Sequence, residues 1–403
     1  MRDRTRRRVT GTTDWRRQVA TAAACAGTGV VVHAVGPVLP VPLAAIGLGV
    51  GVLGASFMLA WAADAGEAVF SGGLVLAAVA LVGVLPEFII EVHFAFIQRA
   101  DLVTANLTGA TRLLLTCAVG LPLLMSLLAR RSGRTDEPIQ LAGPRRLELG
   151  ILFVSAVFAV QVVIRGSLTV FDGVVLLGLY ILYARRVQGT PYEEPAVVGV
   201  AAGLMSLPPR YRRPAVAALL LGAAGVVVVI ANPFTHALLD TGTSLGMDPY
   251  LLIQSVVPGA TEAPELVVVA VLVANRRPAQ GLALLLAASV SQWTLGMGSL
   301  PIAYLAGGGG MALPLAGREQ VELGFTTALT FFVVAALATL RPERVDAVLI
   351  AVVFVIQLIY PSPFTRFAAG FVLLVFAIDL LVARRRELGP MFRTVRFGRH
   401  PSA

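Results

Sequence analysis

Val82-Gly-Val-Leu-Pro-Glu87 and Ala260-Thr-Glu-Ala-Pro-Glu265 decide the reading of this chain. Each sets a Pro-Glu pair inside sequence that is otherwise apolar enough to cross a membrane, and the two pairs stand 178 residues apart. The same offset aligns Arg99 with Arg277, Ala105 with Ala283, Leu107 with Leu285, Ala110 with Ala288, Thr111 with Ser289 and Gly120 with Gly298. Proline lacks an N–H and frees the carbonyl one turn earlier, so each copy reads as a helix broken beside a carboxylate. A lone proline in a membrane helix is usually only a kink, and a lone glutamate near its end usually caps or snorkels. The same pair twice is a different matter, because ionisable groups inside a bilayer are costly and mark functional sites by default.

Outward from these stretches the chain is apolar. Of its 403 residues 57% are hydrophobic and 14% charged, against about 25% charged in an average soluble domain. A soluble enzyme is excluded, since its exterior would lack polar cover. With about 20 apolar residues needed per spanning helix, the pattern predicts an all-α polytopic membrane protein of about twelve transmembrane helices. Expected spans fall at about 18–36, 41–63, 72–98, 102–129, 147–164 and 168–184, then 213–232, 250–275, 279–306, 319–340, 345–360 and 364–383.

All 32 basic residues are arginine. If residues 1–17 are a cytoplasmic basic tail, 27 arginines fall on inner segments and four (Arg99, Arg165, Arg318, Arg366) on outer ones, with Arg112 inside a span. That bias places both termini in the cytoplasm, with the bacterial inner membrane as the expected location. The net charge of +9 would suggest nucleic acid in a soluble chain. Here the arginines sit between apolar stretches, so the partners are lipid and transported inorganic cations. Cys25 and Cys117 both lie in spans, which leaves no disulfide framework and no cysteine metal site. Pro191, Pro195, Pro208 and Pro209 in the linker 185–213, with Pro214 just after it, divide a first membrane half, 18–184, from a second, 214–383, before a basic tail at 384–403. The repeats lie at about 72–129 and 250–306.

Span 72–98 runs outward and span 250–275 inward, so the copies are inverted relative to each other. Inverted repeats with interrupted helices at the midplane characterise secondary transporters. At these residues the chain resembles the cation/calcium exchanger superfamily, whose two α-repeats carry Gly-Thr-Ser-Leu-Pro-Glu-like or Gly-Asn-x-x-Glu-like stretches followed by a small-residue helix. The partner helices here are Thr108-Gly-Ala-Thr-Arg112 and Ala288-Ser-Val-Ser-Gln292. The resemblance implies a cation antiporter exchanging Ca2+ or Na+ for H+ or Na+ by alternating access, with the ions as cargo and no cofactor. It implies Glu87, Glu265, Thr261 and Gln292 as direct ligand matches, and Ser289 and Thr111 as approximate ones. Glu262 stands where serine is common, Gly83 and Val84 replace hydroxyl ligands, and Arg112 replaces an amide.

Glu87 and Glu91 are four apart and Glu262 and Glu265 three apart, so each pair shares a helical face. If the repeats meet, these carboxylates cannot all stay ionised together, and protons compete with metal ions for the same oxygens. Arg112 is expected to pair with Glu87 or Glu91 and so to favour a lower-charge load, sodium over calcium. His93 is a candidate relay and Asp248 a helix end. A membrane enzyme would need a set such as His-Glu-x-x-His, which the four histidines do not supply. A major-facilitator carrier would have parallel rather than inverted halves. A non-transporting homologue stays open, because the first copy lacks hydroxyls and carries Arg112.

Overall fold

The structure, a computed structural model, describes residues 14–69, 85–131, 139–188, 199–274 and 276–397. Gly83, Val84, the rest of 70–84, the centre of the linker and both chain ends lie outside the described residues. What is described is almost entirely helical. The exception is a short antiparallel ribbon pairing Ser167–Thr169 with Ala312–Pro314, in register at Leu168 and Leu313.

Helices α1 (Trp15–Val35), α2 (Val41–Val69), α3 (Leu85–Phe96), α4 (Ala100–Arg131), α5 (Arg146–Arg165), α6 (Val170–Gln188) and α7 (Gly199–Met205) precede a long α8 (Pro209–Ser244). Then follow α9 (Pro249–Thr261), α10 (Ala263–Ala274), α11 (Pro278–Ser291), α12 (Met297–Ala306), α13 (Arg318–Leu337), α14 (Arg344–Ile359), α15 (Pro363–Ala383) and α16 (Arg385–Phe397). Local signals set the ends. Asp248 caps α9 by accepting from the Tyr250 N–H at 2.9 Å, with Pro249 at the first helical position. Ser362 does the same for α15, accepting from Thr365 N–H at 3.1 Å. Gly166, at φ 70°, takes the left-handed turn that ends α5.

Among the described residues, eight helices are long and apolar enough to cross a membrane, or nine when the bent pair α9–α10 counts as one. The apolar side chains left exposed follow helical spacing, as lipid contact requires. Phe364, Phe367, Phe371 and Val375 line one stripe of α15, and Val345, Val348, Val352 and Val355 one of α14. The protein is a multi-pass membrane protein.

The chain divides into two compact units. One holds α1, α2, α7 and most of α8. Its core is Ala62, Ala65, Val200, Ala201, Leu204, Val216 and Leu219, so the short α7 packs against α2 and α8. The other unit holds the remaining helices from Glu87 onward, apart from that part of α8, and contains every candidate site residue.

Within that second unit the repeat is visible in the backbone. Helices α3 and α10 are both 12 residues long. Each ends in a turn through a left-handed non-glycine residue, Gln98 at φ 61° and Arg276 at φ 62°. The next residue closes back in both cases, Arg99 N–H to Phe94 O at 2.9 Å and Arg277 N–H to Leu272 O at 2.8 Å. Positive φ is uncommon outside glycine, and here it occurs twice at equivalent positions. The copies then part. Helix α4 continues unbroken for 32 residues, whereas α11 ends at Ser291 and passes through a π turn, Gln292–Gly296, into α12.

Candidate cation site

The α9–α10 break is built from two prolines and one glutamate. Pro264 offers no N–H to the Ala260 carbonyl, and Pro258 sits inside α9. The chain bends by 51° between the two helices, with Glu262 at the bend. Its N–H still reaches the Pro258 carbonyl at 2.9 Å. Glu265 follows in the first turn of α10, as Glu87 does in the first turn of α3. A carboxylate near a helix N-terminus faces the positive end of the helix dipole, so both glutamates are held by the elements that carry them.

These pieces converge. Glu87, Glu262 and Glu265 each bring a carboxylate oxygen within 4.8 Å of the others. Glu87 and Glu262 are buried, and Glu265 is partly so. Gln292 opens the π turn and donates from Nε2 to Glu262 Oε1 at 3.4 Å. Glu91, 1% exposed, lies one turn beyond Glu87 and accepts from Asn106 Nδ2 of α4 at 3.2 Å. Thus Glu87, Glu262, Glu265 and Gln292 come together as the sequence suggests, with Glu91 beside Gln292 around Gly296. The hydroxyls behave differently. Thr261 donates to Val257 O at 3.1 Å, Ser289 to Leu285 O at 2.8 Å and Thr111 to Leu107 O at 2.7 Å, each one turn back in its own helix. Such back-bonding uses the proton and leaves oxygen lone pairs available.

Arg112 corrects an expectation. It does not pair with Glu87 or Glu91. Its Nη2 donates to Glu322 Oε2 of α13 at 2.5 Å and to Thr108 Oγ1 at 2.9 Å, its Nη1 to Gln357 Oε1 at 3.4 Å, and the Phe325 ring lies 5.1 Å away. Arg366, counted from sequence as an outer-loop arginine, is buried and donates to the same Glu322 and, at 2.9 Å, to Gln254 Oε1. Gln254 in turn donates to Thr108 Oγ1 at 3.0 Å and to Glu322 Oε2 at 3.1 Å. The physical reason is proximity of backbones. A β-carbon at Gly109 would lie 2.1 Å from the Gln254 carbonyl oxygen, so α4 and α9 touch there and the next turn of α4 delivers Arg112 to α13. Asp248, besides capping α9, pairs with Arg318 at 2.5 Å. Asn106, Gln254, Glu322, Gln357 and Arg366 are thus polar partners that the repeat pattern missed. The available signal was the cost of a buried arginine, which demands a carboxylate somewhere in another span.

A largely helical membrane protein in which a bent helix pair and the start of a further helix meet at clustered glutamates has the architecture of an ion carrier. Comparison with known proteins narrows the class. Residues 39–187 match the family described as "Sodium/calcium exchanger protein". The solved H+/Ca2+ exchanger CAX superimposes with TM-score 0.88 at 30% identity, over 96% of this chain and 99% of that one. The Ca2+/H+ antiporter protein YfkE gives 0.59 at 15% identity over 92% and 99%, and shares the fold. So does the sodium-calcium exchanger NCX_Mj, at 0.51 and 17% identity over 79% and 98%. No curated protein matches the chain. The chain belongs to the cation/calcium exchanger superfamily.

Proposed function

We propose that the protein is a secondary active antiporter that moves a calcium-class divalent cation against H+ or Na+ at the Glu87, Glu262 and Glu265 cluster. The observation that carries this reading is the convergence of three carboxylates from the first turn of α3 and from the α9–α10 bend, with oxygens within 4.8 Å of one another. Ca2+ takes oxygen ligands at about 2.3–2.6 Å, so two ligands on opposite sides of one ion stand about 5 Å apart. Three carboxylates suit a divalent load better than a monovalent one. Arg112, the residue that argued for sodium, is engaged by Glu322 instead, and calcium becomes the favoured cargo. When the metal leaves, like charges at this spacing favour proton uptake, so a proton or a monovalent cation can return through the same site. One site with alternative occupants is the physical basis of antiport.

The wider reading follows the same logic. Twelve spans, repeats of inverted topology, both termini in the cytoplasm and residence in a bacterial inner membrane fit the arginine count and the matched turns after α3 and α10. The protein carries out transport rather than covalent chemistry and uses no cofactor.

The test is flux in proteoliposomes loaded with calcium, sodium or potassium and opposed by pH or sodium gradients. Calcium uptake driven by an outward proton or sodium gradient, and collapsed by abolishing that gradient, is expected. No coupled flux of any cation under any gradient would overturn the proposal in favour of a non-transporting homologue.

A further inference from the structure

Helix α16 is amphipathic, and its two faces keep different company. One face packs on α5. Met391 is buried there, and a β-carbon at Gly150 would clash with Val395 Cγ2 and lie 3.4 Å from Met391 Cγ, so the two helices meet closely. Phe392 adds an edge-on contact with Phe153, the ring centroids 5.3 Å apart. Arg186, near the end of α6, donates from Nη2 to the Arg396 carbonyl at 2.8 Å and so caps the far end of the helix. These contacts hold α16 in one orientation.

The other face is exposed and consists of Arg385, Arg386, Gly389, Phe392, Arg393 and Arg396. At about 100° per residue these positions fall within about a third of the helix circumference. Four of them are arginines and none is acidic. Arg185, at the end of α6, is exposed as well. Two other arginines at this end of the molecule do spend their charge on carboxylates, Arg384 on Glu343 and Arg146 on Glu387, each at 2.7 Å. Among the described residues, no ion pair engages Arg185, Arg385, Arg386 or Arg393. Arg393 and Arg396 stand three apart, where like charges on a helix repel. Such a face is most stable against an anionic surface.

The position of the stripe says which surface. Helix α15 carries exposed apolar side chains to its end, with Ile378 54% and Val382 62% exposed, as a lipid-facing helix does. Only Arg384 separates its last residue, Ala383, from Arg385 at the start of α16. The arginine stripe thus begins where the lipid-facing surface stops, at the level of the headgroups. Phe392 stands within it as an apolar residue suited to the headgroup boundary. We infer that the exposed face of α16, together with Arg185 of α6, is a docking surface for the phosphates of anionic phospholipids. A cluster of about four or more basic residues beside a span or on an amphipathic helix attracts anionic lipid at short range. Arginine suits a phosphate, which it grips through two N–H groups at once. The surface shares no residue with the glutamate cluster and does not depend on which ion is carried.

The test places a fluorophore on the face itself. Gly389→Cys, in a full chain with Cys25→Ala and Cys117→Ala, is labelled and reconstituted in phosphatidylcholine nanodiscs with a rising fraction of brominated phosphatidylglycerol, which quenches on contact. Quenching is expected to saturate at a lower lipid fraction than it does with brominated phosphatidylcholine. A basic residue near an anionic surface is worth about 1 kcal/mol, or about fivefold. Arg385→Gln with Arg393→Gln should therefore raise the half-saturating fraction about tenfold or more. Arg210→Gln with Arg213→Gln, two exposed arginines at the start of α8, should shift it by less than about twofold. Added salt should move the fraction upward through screening with every arginine in place, which reads the contact even where the double variant does not elute as a monodisperse species. The inference is overturned if the two brominated lipids quench alike, or if neither salt nor the Arg385 and Arg393 pair changes the half-saturating fraction. An equal shift from the Arg210 and Arg213 pair would also overturn it, since the attraction would then belong to the whole charged rim rather than to α16.

Discussion

The two copies of the repeat share a frame and differ in what they hang on it. The frame is the Pro-Glu start, the 12-residue helix and the left-handed turn, alike in α3 and α10. The differences lie in the extra polar residues. The first copy adds Glu91, whose counterpart is Val269, and Asn106, whose counterpart is Leu284. The second adds Glu262 and Gln292, which align with Val84 and Leu114. Backbone geometry follows the same division, since α4 is continuous and the second copy has its π turn at Gln292, where such turns often mark functional sites. A symmetric frame can therefore carry an asymmetric site. The shared residues bring two carboxylates together, and the unshared ones decide what else surrounds the ion.

The shared pair should show the largest effect. Glu87→Gln and Glu265→Gln are each expected to abolish gradient-driven flux in proteoliposomes while leaving expression and monodispersity near wild type. The amide keeps the shape and removes the charge. Wild-type flux with unchanged pH dependence in either variant would break the idea that equivalent positions of the two copies make one site.

The next effect concerns the residue that has no equivalent across the copies. Arg112 and Arg366 both engage Glu322 within the protein. Removing one partner of a buried pair costs about 3–5 kcal/mol, because the other charge is left uncompensated. Glu322→Gln leaves two buried arginines facing a neutral amide and should lower the midpoint of thermal unfolding in detergent more than Arg112→Gln does. Ion preference per folded molecule should stay unchanged in Arg112→Gln, since no carboxylate of the cation site is its partner. A switch in preference would return Arg112 to the ion path.

A smaller effect separates the copies at the π turn. Gln292→Ala removes the amide that holds Glu262, and a lost outer partner of this kind typically lowers metal affinity about tenfold or more. Calcium binding measured on the detergent-solubilised variant checks this. Unchanged affinity would mean that the π turn serves packing alone, for instance by placing Trp293 against Thr330 at 3.0 Å.

Much of this architecture was legible in sequence for a physical reason. Apolar length reports on the bilayer, and a Pro-Glu pair inside a span is costly enough to stand out twice. The partner of Arg112 was not legible. Glu322 lies 210 residues away, in the second turn of a helix that begins Arg318-Glu319, where charges read as a solvated end. Arg366 sits in the first turn of α15 and reads the same way. Only packing shows that these helix starts turn inward. Asn106 carries no repeat signal, because its counterpart, Leu284, is a leucine. A repeat marks only what both copies hold, so a polar residue present in one copy alone leaves no such signal in the sequence.

The smallest expected effect sharpens the comparison at the hydroxyls. Thr111 and Ser289 are equivalent by position, and both are buried. Both donate to the carbonyl four residues back, Leu107 at 2.7 Å and Leu285 at 2.8 Å. A hydroxyl spent in this way contributes to ion binding only through a lone pair, and a neutral interaction of that kind is worth about 1 kcal/mol, or about fivefold in affinity. Thr111→Val and Ser289→Ala should therefore each lower calcium affinity by about fivefold or less, well below the loss at Glu87 or Glu265. Valine preserves the branched shape of threonine, so its effect isolates the oxygen. If the two substitutions act alike, the hydroxyls belong to the shared frame. If Ser289→Ala alone costs as much as Gln292→Ala, the second copy supplies the neutral oxygens, and the asymmetry seen at the π turn extends one turn further along α11.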